Sequence, residues 1–249
     1  MSFLPTAVKA AKAAGAFLKT NYGKDHTVDE ALHHDLKLAL DKESQDLIFA
    51  ILLNDYPDHA LLGEEGIGGN ADSEYQWIVD PIDGTVNYFY GIPHFCVSIA
   101  LRKGEEIITG VIYDPMTDDC WSVEAGSAPQ LNERDIQVSP RTKLEESILY
   151  VGSGKTQDSM DEGLQRFRRA SQRARKMRMM GSAALGMAYI ASGRLDAYVE
   201  SRISLWDIAA GKLLIEAAGG KVELTPNPDE KHVYSIVAYN AKIPLEEIL

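Results

Sequence analysis

The stretch Trp77-Ile-Val-Asp-Pro-Ile-Asp-Gly-Thr-Val-Asn constrains this chain most, because an apolar strand runs straight into two carboxylates three residues apart. Pro81 fixes its own φ and lacks a backbone donor, so the strand is expected to end there and to turn Asp80 and Asp83 toward one point. Convergent hard oxygens suit magnesium, which takes octahedral oxygen ligands and keeps some of its waters. Gly84 and Thr85 are expected to open a helix, whose free N–H groups and positive end favour an anion such as phosphate. Taken alone, an Asp-Gly pair more often marks a plain turn with a local Asp cap. Two further acidic segments change that weighting. Gly63-Glu64-Glu65-Gly66 follows the apolar run Ala60-Leu61-Leu62, and Asp207 precedes the small-residue segment Ile208-Ala209-Ala210-Gly211. In isolation the first reads as a solvated loop and the second as an ordinary N-cap.

The net charge of -12 opposes a nucleic-acid partner, which normally requires clustered cations, yet leaves room for phosphate if a divalent metal stands between it and the carboxylates. Neither a leader segment nor an apolar run long enough to span a membrane is read in the sequence, so no membrane partner and a cytoplasmic location are expected. Cys96 and Cys120 have no metal-ligand spacing and read as buried, reduced thiols.

Apolar periodicity predicts helices over Phe3 to Lys19 and Asp41 to Leu53. Short β-like runs follow at Ala60-Leu62, Trp77-Val79, Phe95-Leu101, Ile107-Tyr113 and Cys120-Val123, which together read as a sheet. Beyond Ser139 strands at Ile148-Val151, Ala197-Val199 and Lys221-Glu223 alternate with helices at Met160-Arg175, Ser182-Ala191 and Trp206-Ala218. That alternation suggests a layered α/β architecture. A boundary near Ser139 would divide an N-terminal lobe, 1–139, from a C-terminal lobe, 140–249, within one compact unit. The basic run Arg166 to Arg178 reads as a solvated helix face. Met177, Met179 and Met180 read as core filling, His94 as packing near the site, and His33 and His34 as solvent-facing.

In this order, Gly63-Glu64-Glu65, Asp80-Pro81-Ile82-Asp83-Gly84-Thr85 and Trp206-Asp207-Ile208-Ala209-Ala210-Gly211 resemble the signature segments of the inositol monophosphatase family. Similar pieces at Gly91 to Ala100, Gly181 to Ala184 and Gly193 to Glu200 extend the resemblance over about residues 35 to 224. It implies an α/β (α+β) fold layered αβαβα, a homodimer, a small phosphorylated substrate, and two or three Mg2+ ions per active site. By the same resemblance, Glu64, Asp80 and the carbonyl of Ile82 would hold one metal, and Asp80, Asp83 and Asp207 a second. Gly84 and Thr85 would meet phosphate oxygens, with the Thr85 hydroxyl orienting water, while Gly181, Ser182, Ala183, Glu200 and Asp207 would border the substrate. Asp41 would hold Thr85 or accept a proton through water, with a capping role as the equal alternative. The segment before it departs from the pattern, since Leu38 stands where the family usually has threonine. Fructose-1,6-bisphosphatase, histidinol-phosphatase and 3'(2'),5'-bisphosphate nucleotidase activities share such a metal site. A silent metal- or phosphate-binding module is the alternative of another class.

Overall fold

The small residues of the first helix decide how closely it can lie on its neighbours. In the computed structural model, which describes residues 2–24, 28–32, 35–154 and 156–247, α1 (Leu4–Asn21) buries Ala7, Ala10, Ala11, Ala14 and Leu18 at helical spacing. A hairpin of β1 (Val28–Leu32) and β2 (Asp35–Leu38) leads into α2 (Ala39–Asp55), which buries Asp41, Ser44, Gln45, Ile48 and Leu52. The residues His33 and His34 lie outside the described ones.

An eight-stranded sheet follows: β3 (Ala60–Gly63), β4 (Gly66–Gly69), β5 (Tyr75–Asp83), then the short α3 (Thr85–Phe89), β6 (Cys96–Lys103), β7 (Glu106–Asp114), β8 (Asp119–Glu124), β9 (Gln130–Leu131) and β10 (Arg134–Asp135). Their order is β10-β9-β8-β7-β6-β5-β3-β4, antiparallel except where β3 runs parallel to β5. Successive side chains alternate faces. Trp77, Val79, Val97, Ile99, Leu101 and Val111 pack with α1 and α2. Ile78, Cys96, Ala100, Ile112, Trp121 and Val123 join a second cluster on the opposite face. Covered on both faces, the central strands therefore read as unbroken apolar runs.

The second sheet has the order β12 (Lys176–Arg178), β11 (Ile148–Val151), β13 (Ala197–Ser204), β15 (Val233–Tyr239) and β14 (Lys221–Pro226), with β11 parallel to both its neighbours. Between β11 and β12 runs α4 (Gln157–Ser171). Then come α5 (Ala183–Ala191), β13, α6 (Leu205–Ala217), β14 and β15. Helices α5 and α6 touch strands of both sheets, while α4 touches β11, β12 and β13. The layers are thus αβαβα, as the resemblance implies.

Three elements differ from expectation. β5 does not stop at Pro81 but continues to Asp83, and α4 ends at Ser171 rather than Arg175. The end of the basic run is instead the edge strand β12, where charged side chains discourage further strand pairing. β15, read from no sequence signal, is central to the second sheet.

Helices α5 and α6 meet at Gly211. A Cβ added there would stand 2.6 Å from Met187 Cβ and 2.8 Å from its sulfur. Gly211→Ala must push these helices apart, and overpacking of this kind costs about 1–3 kcal/mol. We expect a fall of about 2–4 °C in Tm per kcal/mol lost, measured by thermal unfolding.

Candidate functional site

Asp80 and Asp83 converge through a bulge rather than by leaving the sheet. Asp80 pairs with Ser98 and Asp83 with Cys96, so three residue steps on β5 oppose two on β6. The extra residue at Pro81-Ile82 bends the strand and re-aims both carboxylates. Proline is tolerated because a bulge needs no ladder donor there. Carboxylate oxygens of Asp80, Asp83 and Asp207 come within 4.8 Å of one another. Asp207 reaches them from the first turn of α6, where it is not the N-cap but the third helical residue, accepting the N–H of Ser204 at 3.0 Å. Trp206 accepts the Ser98 hydroxyl at 3.3 Å, which ties that turn to β6.

Glu64 stands in the turn between β3 and β4, its N–H donating to Val79 at 3.2 Å. It lies outside the close group of three, yet its charge bears on Asp80. Burial first, then the carboxylates of Glu64, Asp207 and Asp83, hold the Asp80 carboxyl well above its ordinary value. Asp83 is buried too, and burial raises it despite opposing hydrogen bonds. Its Oδ2 accepts the Ser182 hydroxyl at 2.6 Å and the Ala184 N–H at 2.7 Å, while Oδ1 accepts the Ala183 N–H at 3.3 Å. The start of α5 is therefore built around Asp83. Ser182 borders the cleft, but its hydroxyl is engaged with that carboxylate. The Cys96 thiol also points to Asp83 Oδ2, at 3.7 Å, and burial pushes its pKa well up, keeping it neutral.

Thr85 follows Gly84, whose φ of 101° lies in the left-handed region glycine tolerates. The Thr85 hydroxyl lies 2.9 Å from the carbonyl of Ile82 and 3.3 Å from Asp41 Oδ1. Asp41 Oδ2 accepts the N–H of Leu38 at 2.8 Å. One Asp41 oxygen thus meets the backbone at the start of α2 and the other faces the Thr85 hydroxyl. Leu38 has no hydroxyl with which to cap the helix and is buried in the core instead. The helix after Gly84 has only five residues, so an anion would meet individual N–H groups rather than a sizeable macrodipole.

These groups border one open cleft of about 590 Å3. Glu64, Asp80, Ile82, Asp83, Gly84, Thr85, Gly181, Ser182, Ala183, Glu200 and Asp207 all line it, and Asp41 lies buried beneath Thr85. Met179 and Met180 line it as well, and Met179 is half-exposed rather than core filling. Sequence reading missed Ser153, Arg202, Glu230 and Lys231, which also line it. No motif flags them, although the β-branched and aromatic run Val233-Tyr-Ser-Ile-Val-Ala-Tyr would have located the hairpin that carries the last two. No described helix is long and apolar enough to cross a membrane.

An all-oxygen donor set, Asp80 and Asp83 buried and Asp207 half-buried, with no cation among the causes that shift Asp80, fits a hard divalent ion. The sequence profile matching residues 2–244 is that of the "Inositol monophosphatase family". An inositol-1-monophosphatase of Mesorhizobium japonicum is 37% identical, with 97% of this chain and 93% of that protein covered. "Nus factor SuhB" of Xylella fastidiosa is 38% identical over 95% of this chain and 89% of its own. The suhB protein of Bartonella henselae superposes with a TM-score of 0.88 at 34% identity, covering 95% of this chain and 93% of that one.

The carboxyls of Asp80 and Asp83 are raised in the folded chain, so metal-free stability from them is complete below the ordinary value of 3.8 and is lost as pH rises through the raised values. Calorimetry should show Mg2+ raising Tm more at neutral than at acid pH. Asp80→Asn should raise the metal-free Tm by about 3 °C or more and remove the Mg2+ effect. A metal-free variant less stable than the parent would contradict this charge assignment.

Proposed function

The chain belongs to the inositol monophosphatase family, and we propose that within it this protein is a magnesium-dependent phosphomonoesterase that hydrolyses a small sugar or inositol phosphate, acting in the cytoplasm as a homodimer. The observation that carries the reading is the gathering of Asp80, Asp83 and Asp207, with Glu64 beside them, at the wall of an open cleft. Such mutual repulsion is relieved either by proton uptake or by a bound cation, and only the cation leaves all the carboxylates ionised at neutral pH. Glu64, Asp80 and the Ile82 carbonyl would hold one magnesium, and Asp80, Asp83 and Asp207 another. Magnesium held there would acidify water and offset charge developing on the phosphoryl oxygens.

The remaining work falls to this chain's own groups. The N–H groups of Gly84 and Thr85 orient the phosphate. With the Ile82 carbonyl, the nearer acceptor at 2.9 Å, given over to the metal, Thr85 Oγ1 would donate its one proton to Asp41 Oδ1 at 3.3 Å and accept a hydrogen bond from water, so that Asp41 takes up the proton through the hydroxyl. The Leu38 N–H, bonded to the other oxygen of Asp41, keeps that carboxylate aimed. Gly181, Ser182, Ala183 and Glu200, which line the cleft, would border the sugar or polyol ring. A catalytically silent binding module would keep the same buried repulsion without using it, which argues for turnover.

Purified protein incubated with inositol, fructose, histidinol and adenosine phosphates should release phosphate only when magnesium is present. Asp80→Asn should reduce release to background without unfolding the chain, and a variant with near-normal turnover would sink the assignment. Thr85→Val should lower kcat by about 10^2-fold or more while Thr85→Ser retains most of it, as expected for a group that passes a proton.

A further inference from the structure

Glu64 reaches the carboxylate group from the least supported of the elements that build it. Asp80 and Asp83 lie on an interior strand, and Asp207 lies on a helix packed between the two sheets. Glu64 sits in the two-residue turn of an edge hairpin, whose outer strand β4 is largely exposed and reads Gly-Ile-Gly-Gly. Glycine adds backbone freedom, and so short an edge strand adds few contacts. The turn does not hold its own shape either. The favoured two-residue hairpin turns need a positive φ at the first or at both turn residues, and neither Glu64 nor Glu65 has one.

Bonds from outside the hairpin anchor the turn instead. The Glu64 N–H donates to the Val79 carbonyl at 3.2 Å, one residue before Asp80. The Glu65 N–H donates to Gln45 Oε1 at 2.9 Å. Gln45 is buried on α2, on one stripe with the equally buried Asp41 and Ser44 at helical spacing. Each member of that stripe meets a different segment of the site: Asp41 the Thr85 hydroxyl, Ser44 the Pro81 carbonyl at 3.4 Å, and Gln45 the Glu64-Glu65 turn. A buried amide is costly unless bonded, and core packing alone would be served better by an apolar side chain. Gly63 makes room for this one, since a Cβ there would collide with the Gln45 amide and stand 3.0 Å from Phe49 Cζ.

We propose that Gln45 is a positioning residue for metal binding, fixing the β3–β4 turn through the Glu65 N–H so that Glu64 is presented beside Asp80. Without that bond the turn loses an anchor, and Glu64 must be ordered at the moment a cation binds, which weakens the ion. This role rests on the carboxylate group taking a cation, as proposed above, and not on the hydrolysis.

The test is calorimetric titration of the full chain with Mn2+ alone. Glu64→Gln identifies the ion that depends on Glu64. Gln45→Met, which keeps the size but not the acceptor, should weaken that ion about 10–100-fold, and Gln45→Asn, one methylene short of the turn, should do the same. Any other bound ion should change by less than about twofold. Placed in the Glu64→Gln background, neither variant should weaken binding by more than about a further twofold, because both act through that one carboxylate. A general loosening of the core would add its full loss in either background. Affinity within about twofold of the parent in both variants, or equal losses with and without Glu64, would overturn the role. A parent that binds Mn2+ yet hydrolyses no phosphate ester would overturn the phosphatase reading alone, whereas a parent that binds no Mn2+ would overturn both.

Discussion

Mutual repulsion among Asp80, Asp83 and Asp207, with Glu64 close by, is the constraint around which the fold is arranged. Left alone, such a group would take up protons, as the raised carboxyls of Asp80 and Asp83 show. The chain brings the group together anyway, from the β3–β4 turn, the bulge of β5 and the first turn of α6. It tolerates Asp83 by aiming the start of α5 at it, so that a hydroxyl and two N–H groups replace the water that burial removed. It gives Asp80 less help, a backbone hydrogen bond from the Ile82 N–H at 3.0 Å. That asymmetry makes Asp80 the residue on which a bound cation would act most.

The layers exist to hold this arrangement still. Helices α5 and α6, packed between the two sheets, each present their first turn to the cleft, and Gly211 lets them approach closely. Bulges in β5 and β13 do the same job in the two sheets, turning strand residues out of the ladder and into the cleft. The site is therefore built on regular elements, with short irregularities only where a side chain must be re-aimed.

Much of this was legible in the sequence. The three acidic segments, the apolar runs of the first sheet and the helical spacing of α1 each carry a local signal that survives folding. What could not be read depended on partners distant in the chain. Pro81 signals a strand end to any local rule, and only pairing with Ser98 and Cys96 converts it into a bulge. Ser182 lines the cleft, but no local signal reveals that its hydroxyl is engaged by Asp83, 99 positions earlier. Met179 looks like core because apolar residues are usually buried, and here it borders a cleft. Arg202 and Lys231 belong to no motif, and their shared place depends on β15, which was overlooked.

The most direct measurement is anomalous diffraction from crystals grown with Mn2+ as a stand-in for magnesium. The account predicts a strong peak bonded to Asp80, shared with Asp83 and Asp207 or with Glu64. A fully occupied site elsewhere, with no peak at Asp80, would contradict it.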